Sequence, residues 1–225
     1  MKKLLHIQEE LRAHLPYTIF SSAFGLIVVG VLSFVAFFLD EARFPEASAG
    51  LFHVFHPVHA LLSATATTAV FWRYEKKVLK ATIVGFLGSV IICGVSDIFI
   101  PFFSGRLLGV AMELHICIIE HPELVLPFVG AGIFAGIIAT TTIENSSVFS
   151  HAFHVFISSM ASILYLVSFG LTGWMEHVGM VFLFIIIAVL VPCCISDIVF
   201  PLFFCRDTPD ANRHVHQNKD TAAKF

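Results

Sequence analysis

Long runs of apolar positions separated by short polar segments dominate the chain. Six runs reach the roughly 20 residues a helix needs to cross a bilayer. They are Tyr17 to Leu39, Leu51 to Trp72, Ala81 to Phe103, Leu124 to Ile143, Val148 to Leu171 and Val178 to Phe204. Each is expected to be a helix, because a segment in lipid must satisfy its own backbone hydrogen bonds. A membrane barrel would show alternating segments of about ten residues, a pattern this chain lacks.

Two further segments are amphipathic. Leu4, Leu5, Leu11 and Leu15 predict a short interfacial helix over residues 1–16. The basic start runs on into Gln8, Glu9, Glu10 and Arg12 instead of an apolar stretch, so a cleaved signal peptide is not expected. Residues 106–120 are apolar but too short to span, and Glu113 and His115 interrupt them. They read as an interfacial or re-entrant helix. The expected fold is an all-α polytopic membrane protein: an interfacial helix (1–16), a three-helix unit (17–104), an outer-face linker (105–123), a second three-helix unit (124–204) and a polar tail (205–225).

Composition agrees with this pattern. The chain is 57% hydrophobic and 13% charged, where soluble domains carry roughly 25% charged residues. A net charge of -3 and the lack of a basic stripe exclude a nucleic-acid binder. Five irregularly spaced cysteines form no secreted disulfide framework. With six spans, eleven of the thirteen Lys and Arg residues fall on the side of the two termini, leaving Arg43 and Arg106 opposite. The positive-inside rule then puts both termini in the cytoplasm, in a multi-pass protein of the cell (inner) membrane.

The chain also repeats itself. Cys93, Ser96, Asp97, Ile98, Pro101 and Phe103 recur as Cys193, Ser196, Asp197, Ile198, Pro201 and Phe203, at an offset of 100. Glu46, Ser48, His53, Phe55 and His56 recur as Glu144, Ser146, His151, Phe153 and His154, at an offset of 98. Two blocks in near register indicate a duplication. Three spans per half would invert the second half relative to the first, an architecture shared by many secondary transporters.

The repeated residues are those that are expensive in lipid. An Asp at the centre of a span costs about 2.5–3.5 kcal/mol on insertion scales, and such residues are candidates for function. His53 and His56 stand three apart on one helix, as do His151 and His154. Cys93 and Asp97 stand four apart on the next span, as do Cys193 and Asp197. Glu46 and Glu144 lie two turns before the first His of each pair. Such a set suits a divalent transition metal (Zn, Fe, Mn or Co) better than Ca²⁺ or Mg²⁺. Pro101 and Pro201 would also free the backbone carbonyls of Asp97 and Asp197.

Blander explanations apply to each residue alone: a buried His is commonly a hydrogen-bonded core residue, and a buried Cys a small packing group. Recurrence of the whole set favours function. His59 has no counterpart, since Ile157 takes its place. Glu113, His115, Glu120, His121 and Glu123 form an outer acidic edge that either gathers cations or is simply solvated. His214 and His216 lie in the polar tail, where a lone pair is a weak metal signal.

The leading expectation is a membrane transporter of divalent transition-metal ions, Zn²⁺ first. It would have two related Glu/His/His/Asp sites at opposite depths, with proton exchange as the natural coupling. Its partners are membrane lipid, the ion and a second copy of the chain. One alternative is a haem-binding redox protein using the histidines as axial ligands. Another is an intramembrane metal-dependent hydrolase, although the chain contains no H-E-x-x-H, P-loop or G-x-S-x-G motif.

Overall fold

The computed structural model describes residues 2–138, 147–194 and 200–204. The described residues are helical or irregular and contain no strand. Four helices are long and apolar enough to cross a membrane: His14–Leu39, Glu41–Tyr74, Val78–Leu107 and Trp174–Pro192. Two shorter apolar helices, Pro122–Ile138 and Ala152–Ser168, accompany them. This is the composition of an α-helical membrane protein.

The elements are α1 (Lys2–Leu39), α2 (Phe44–Tyr74), α3 (Val78–Gly94), α4 (Ile100–Leu107), α5 (Cys117–Glu120), α6 (Pro122–Ile138), α7 (Ser147–Ser168), α8 (Val178–Cys194) and α9 (Phe200–Phe203). A π-helical turn, Val95–Phe99, joins α3 to α4 without breaking the rod. Residues 2–16 do not form a separate interfacial helix. They continue into α1, which carries Pro16 within it.

Helix α2 is the hub, packing against α3, α6 and α7, while α1 packs against α7 and α8. Helix α7 lies inside the bundle, with every residue from Ile157 to Val167 buried. Exposed apolar residues gather on α1, among them Phe20, Phe34, Phe37 and Phe38.

Close approach of α6 to α2 depends on small residues. A Cβ on Gly132 would strike the Leu61 carbonyl oxygen, and one on Gly136 would stand 2.6 Å from the Thr65 carbonyl oxygen. Glycines four apart let two backbones meet where lipid supplies no hydrophobic drive for helix association.

The helix expected over 106–120 is not formed. Leu107 ends α4 in a Schellman motif: Gly109 takes φ +80°, its N–H bonds Arg106 O at 3.0 Å, and Val110 N–H bonds Gly105 O at 3.1 Å. Residues 110–116 then run without regular structure to the single turn α5. Glycine's ease at positive φ ends the helix where hydropathy alone would have continued it.

Replacing Gly132 by Leu should overpack the α2/α6 contact and cost about 1–3 kcal/mol, lowering the melting temperature in detergent. Gly130→Ala, whose Cβ meets nothing within 4 Å, should melt no lower than the parent. Equal melting of G132L and the parent would contradict this packing.

Candidate metal centre

Helix α2 carries three histidines at three-residue intervals, His53, His56 and His59. Each step rises about 4.5 Å and shifts the side chain about 60° around the axis. The ladder therefore winds around the helix and meets different neighbours at its two ends.

At one end, His53 meets the loop before α6. Its Nε2 stands 3.0 Å from His115 Nε2, and the His53 and His121 rings are 4.8 Å apart. One ligand nitrogen from each of His53, His115 and His121 lies within 4.8 Å of the other two. Among the described residues this is the one group of three or more potential ligands in such reach.

Carboxylates hold the far nitrogens. His115 Nδ1 lies 2.9 Å from Glu120 Oε2, and His121 Nδ1 lies 3.3 Å from Glu123 Oε1. An Nδ1–H donated to a carboxylate fixes the tautomer and turns the Nε2 lone pair towards the shared centre, the arrangement that supports metal-binding histidines. Burial holds His115 below its ordinary pKa, opposed by the Glu120 carboxylate, and so favours the neutral, ligating imidazole. Nearby Cys117 is different: burial pushes its thiol up to about 12, so it packs as a neutral side chain.

The loop is pinned from inside the bundle. The buried Tyr165 hydroxyl accepts the His115 N–H and donates to the Glu113 carbonyl, both at 3.1 Å. Glu113 N–H also bonds Phe169 O at 2.8 Å. Glu120 Oε1 meets the Ile116 N–H at 3.1 Å. Three imidazoles, two of them held through Nδ1 by carboxylates, form a set fitted to a borderline divalent ion such as Zn²⁺.

At the other end, His56 and His59 turn to Asp97, which is fully buried in the π-helical turn. Their Nδ1 atoms lie 2.9 and 2.7 Å from Asp97 Oδ2. Oδ1 accepts from Ser96 at 2.6 Å and from Ser158 at 3.2 Å. A carboxylate has about four acceptor positions, and all four are engaged. The His154 ring lies 4.9 Å from that of His59. Phe52 stacks on His56 at 5.2 Å and also touches His53 and His115, separating the two ends of the ladder.

The π turn answers the proline. Pro101 has no N–H for the Asp97 carbonyl, and the chain shifts to a longer-range bond, Ile100 N–H to Val95 O. Such bulges recur at functional sites. Ser162 Oγ, from α7, lies 3.1 Å from Ser96 O and adds a tie across the turn.

The residues singled out in the sequence are thus divided. His56 and Asp97 are bonded, whereas His53 joins His115 and His121. Glu46 is exposed in the first turn of α2, and Cys93 is buried and lines an apolar cavity of about 240 Å³ with His56. His154 reaches the Asp97 cluster through His59. His151 and Cys193 lie on α7 and α8, with side chains outside the described set. Glu144, Asp197, His214 and His216 lie outside the described residues. Motif spacing could not pair His53 with a loop more than sixty positions away. The signal was the density of His and Glu over 113–123.

No protein-family model, curated protein or solved structure matches this chain. The geometry of the two centres therefore carries the functional argument.

Zinc titrated into purified full-length protein should bind with an affinity that falls at least tenfold in His53→Ala or His121→Ala. Glu120→Gln, which removes only the support for His115, should weaken binding about 10–100-fold. His177→Ala should leave the affinity unchanged. Calorimetry decides it, and equal affinity in all four variants would remove the site. Tyr165→Phe should weaken zinc binding less than Glu120→Gln does, while destabilising the fold by about 1 kcal/mol.

Proposed function

We propose that the protein is an integral membrane transporter of divalent transition-metal ions, with Zn²⁺ its first candidate cargo. The supporting observation is the His53/His115/His121 trio, whose far nitrogens on the loop side are held by Glu120 and Glu123. Three imidazole donors beside a nearby acidic edge would attract a hydrated dication and replace part of its water shell. The trio leaves room in the coordination sphere for water or a fourth ligand, as a site that must also release its ion requires.

In this reading the trio is the loading site. The six apolar stretches form a 3+3 inverted repeat in the cell membrane with both termini inside. Two features support the repeat: α2 and α7, which carry the duplicated histidines, pack against each other, and the segment of Asp97 lies between them. Glu144, His151, His154, Cys193 and Asp197 would supply the matching half of the path.

The haem alternative fits less well. His53 and His115 nitrogens are 3.0 Å apart and the His59 and His154 rings 4.9 Å apart, so neither pair has a macrocycle's thickness between its members. A hydrolase would need one water-bearing site and has no use for a duplicated set.

Full-length protein in liposomes enclosing a zinc-sensitive dye tests the proposal. Zinc influx should exceed that of empty liposomes, and the double variant His53→Ala/His121→Ala should be at least tenfold slower at low zinc. Influx equal to that of empty liposomes would overturn it.

A further inference from the structure

The cavity beside His56 takes no part in the His53/His115/His121 trio. We propose that it is a binding site for a small membrane-soluble phenol, whose ring fills the cavity and whose hydroxyl donates to His56 Nε2. Neither the trio nor transport is needed for it.

Position and size define the body of the ligand. The cavity, about 240 Å³, lies between α2, the end of α3 with its π-helical turn, and the segment of α5 and α6. Ala60, Ile98 and Val125 form buried wall, while Ile91 and Phe99, 52% and 37% exposed, stand where it reaches the surface of the bundle. Both belong to Val78–Leu107, a stretch long and apolar enough to cross a membrane. A ligand therefore enters from lipid and is itself mostly apolar. An apolar cavity of about 150 Å³ takes benzene, so the larger volume here accommodates a ring with a short alkyl substituent.

The polar groups define its head. Of the lining side chains only His56 and Cys93 carry polar atoms. His56 is almost wholly buried, and its Nδ1 lies 2.9 Å from Asp97 Oδ2. Its Nε2 has no partner among the described residues. A carboxylate only accepts, so the imidazole proton sits on Nδ1 and Nε2 presents a lone pair. A second proton there would leave a charged N–H unpaired against an apolar wall, which costs more than a bare lone pair.

Water suits this place poorly. A buried water needs about two to four polar partners, and beyond Nε2 the wall offers only a thiol, a weak one. A hydroxyl carried on an apolar body needs one acceptor and brings its own apolar surface. A phenol suits better than an aliphatic alcohol, because its more acidic hydroxyl is the stronger donor. The acceptor is also set in advance: Asp97 holds Nδ1 and Phe52 stacks on the ring at 5.2 Å, so little order is lost when the ligand arrives.

Full-length protein in lipid nanodiscs, free of zinc, is titrated with radiolabelled para-propylphenol, with empty nanodiscs as the blank. Saturable binding of about one equivalent above the blank is expected. Para-propyltoluene keeps the shape without the hydroxyl and, corrected for its partition into lipid, should bind roughly fivefold more weakly. Gly94 lines the cavity and a Cβ there meets nothing within 4 Å; Gly94→Leu should fill the space without striking a neighbour and abolish binding. His56→Asn keeps an amide donor for Asp97 but lacks Nε2, and should hold the two probes equally. No saturable binding to the parent, the result if lipid tails occupy the cavity, would overturn the proposal, as would parent-like binding by Gly94→Leu. Equal affinity of the parent for both probes would overturn the hydroxyl anchor. With zinc absent throughout, each of these outcomes leaves the transport reading untouched.

Discussion

A single buried carboxylate organises the interior of this protein. Asp97 receives donors from α2, from its own turn and from α7. Lipid tails give helices no hydrophobic reason to associate, so such bonds, together with close packing, fix their relative positions. That carboxylate ties α7, the π-helical turn, His56 and His59 to one another.

The turn also shows how a local defect becomes useful. Pro101 would leave a carbonyl without its helical donor, and the chain accommodates it by widening over Val95–Phe99. The widened turn presents Asp97 to α2 and Ser96 O to Ser162. On the opposite side, Gly132 and Gly136 bring α6 close to α2. The histidine ladder is thereby held between a small-residue contact and a polar one, and its His53 end meets the loop that carries His115 and His121.

Much of this was legible before any coordinates. Hydropathy reveals the apolar segments because lipid imposes composition residue by residue. The duplicated Ser-Asp motif marked Asp97, and the repeated histidines marked His56 as worth attention. His59 was harder, since its repeat position is Ile157 and its value depends on facing Asp97 across the bundle. Pairing His53 with His115 and His121 required a tertiary contact that spacing along one helix cannot encode. The loop's apolar content predicts a helix, but Gly109, whose positive φ ends α4, decides against it.

The central proposal is that three imidazoles, without sulfur, hold a divalent transition metal at the His53 end of the ladder. X-ray absorption at the zinc edge of zinc-loaded, full-length protein addresses it most directly. The account predicts a first shell of nitrogen and oxygen at about 2.0–2.1 Å with the outer-shell scattering of imidazole rings. A sulfur shell near about 2.3 Å, or protein that retains no zinc, would contradict it.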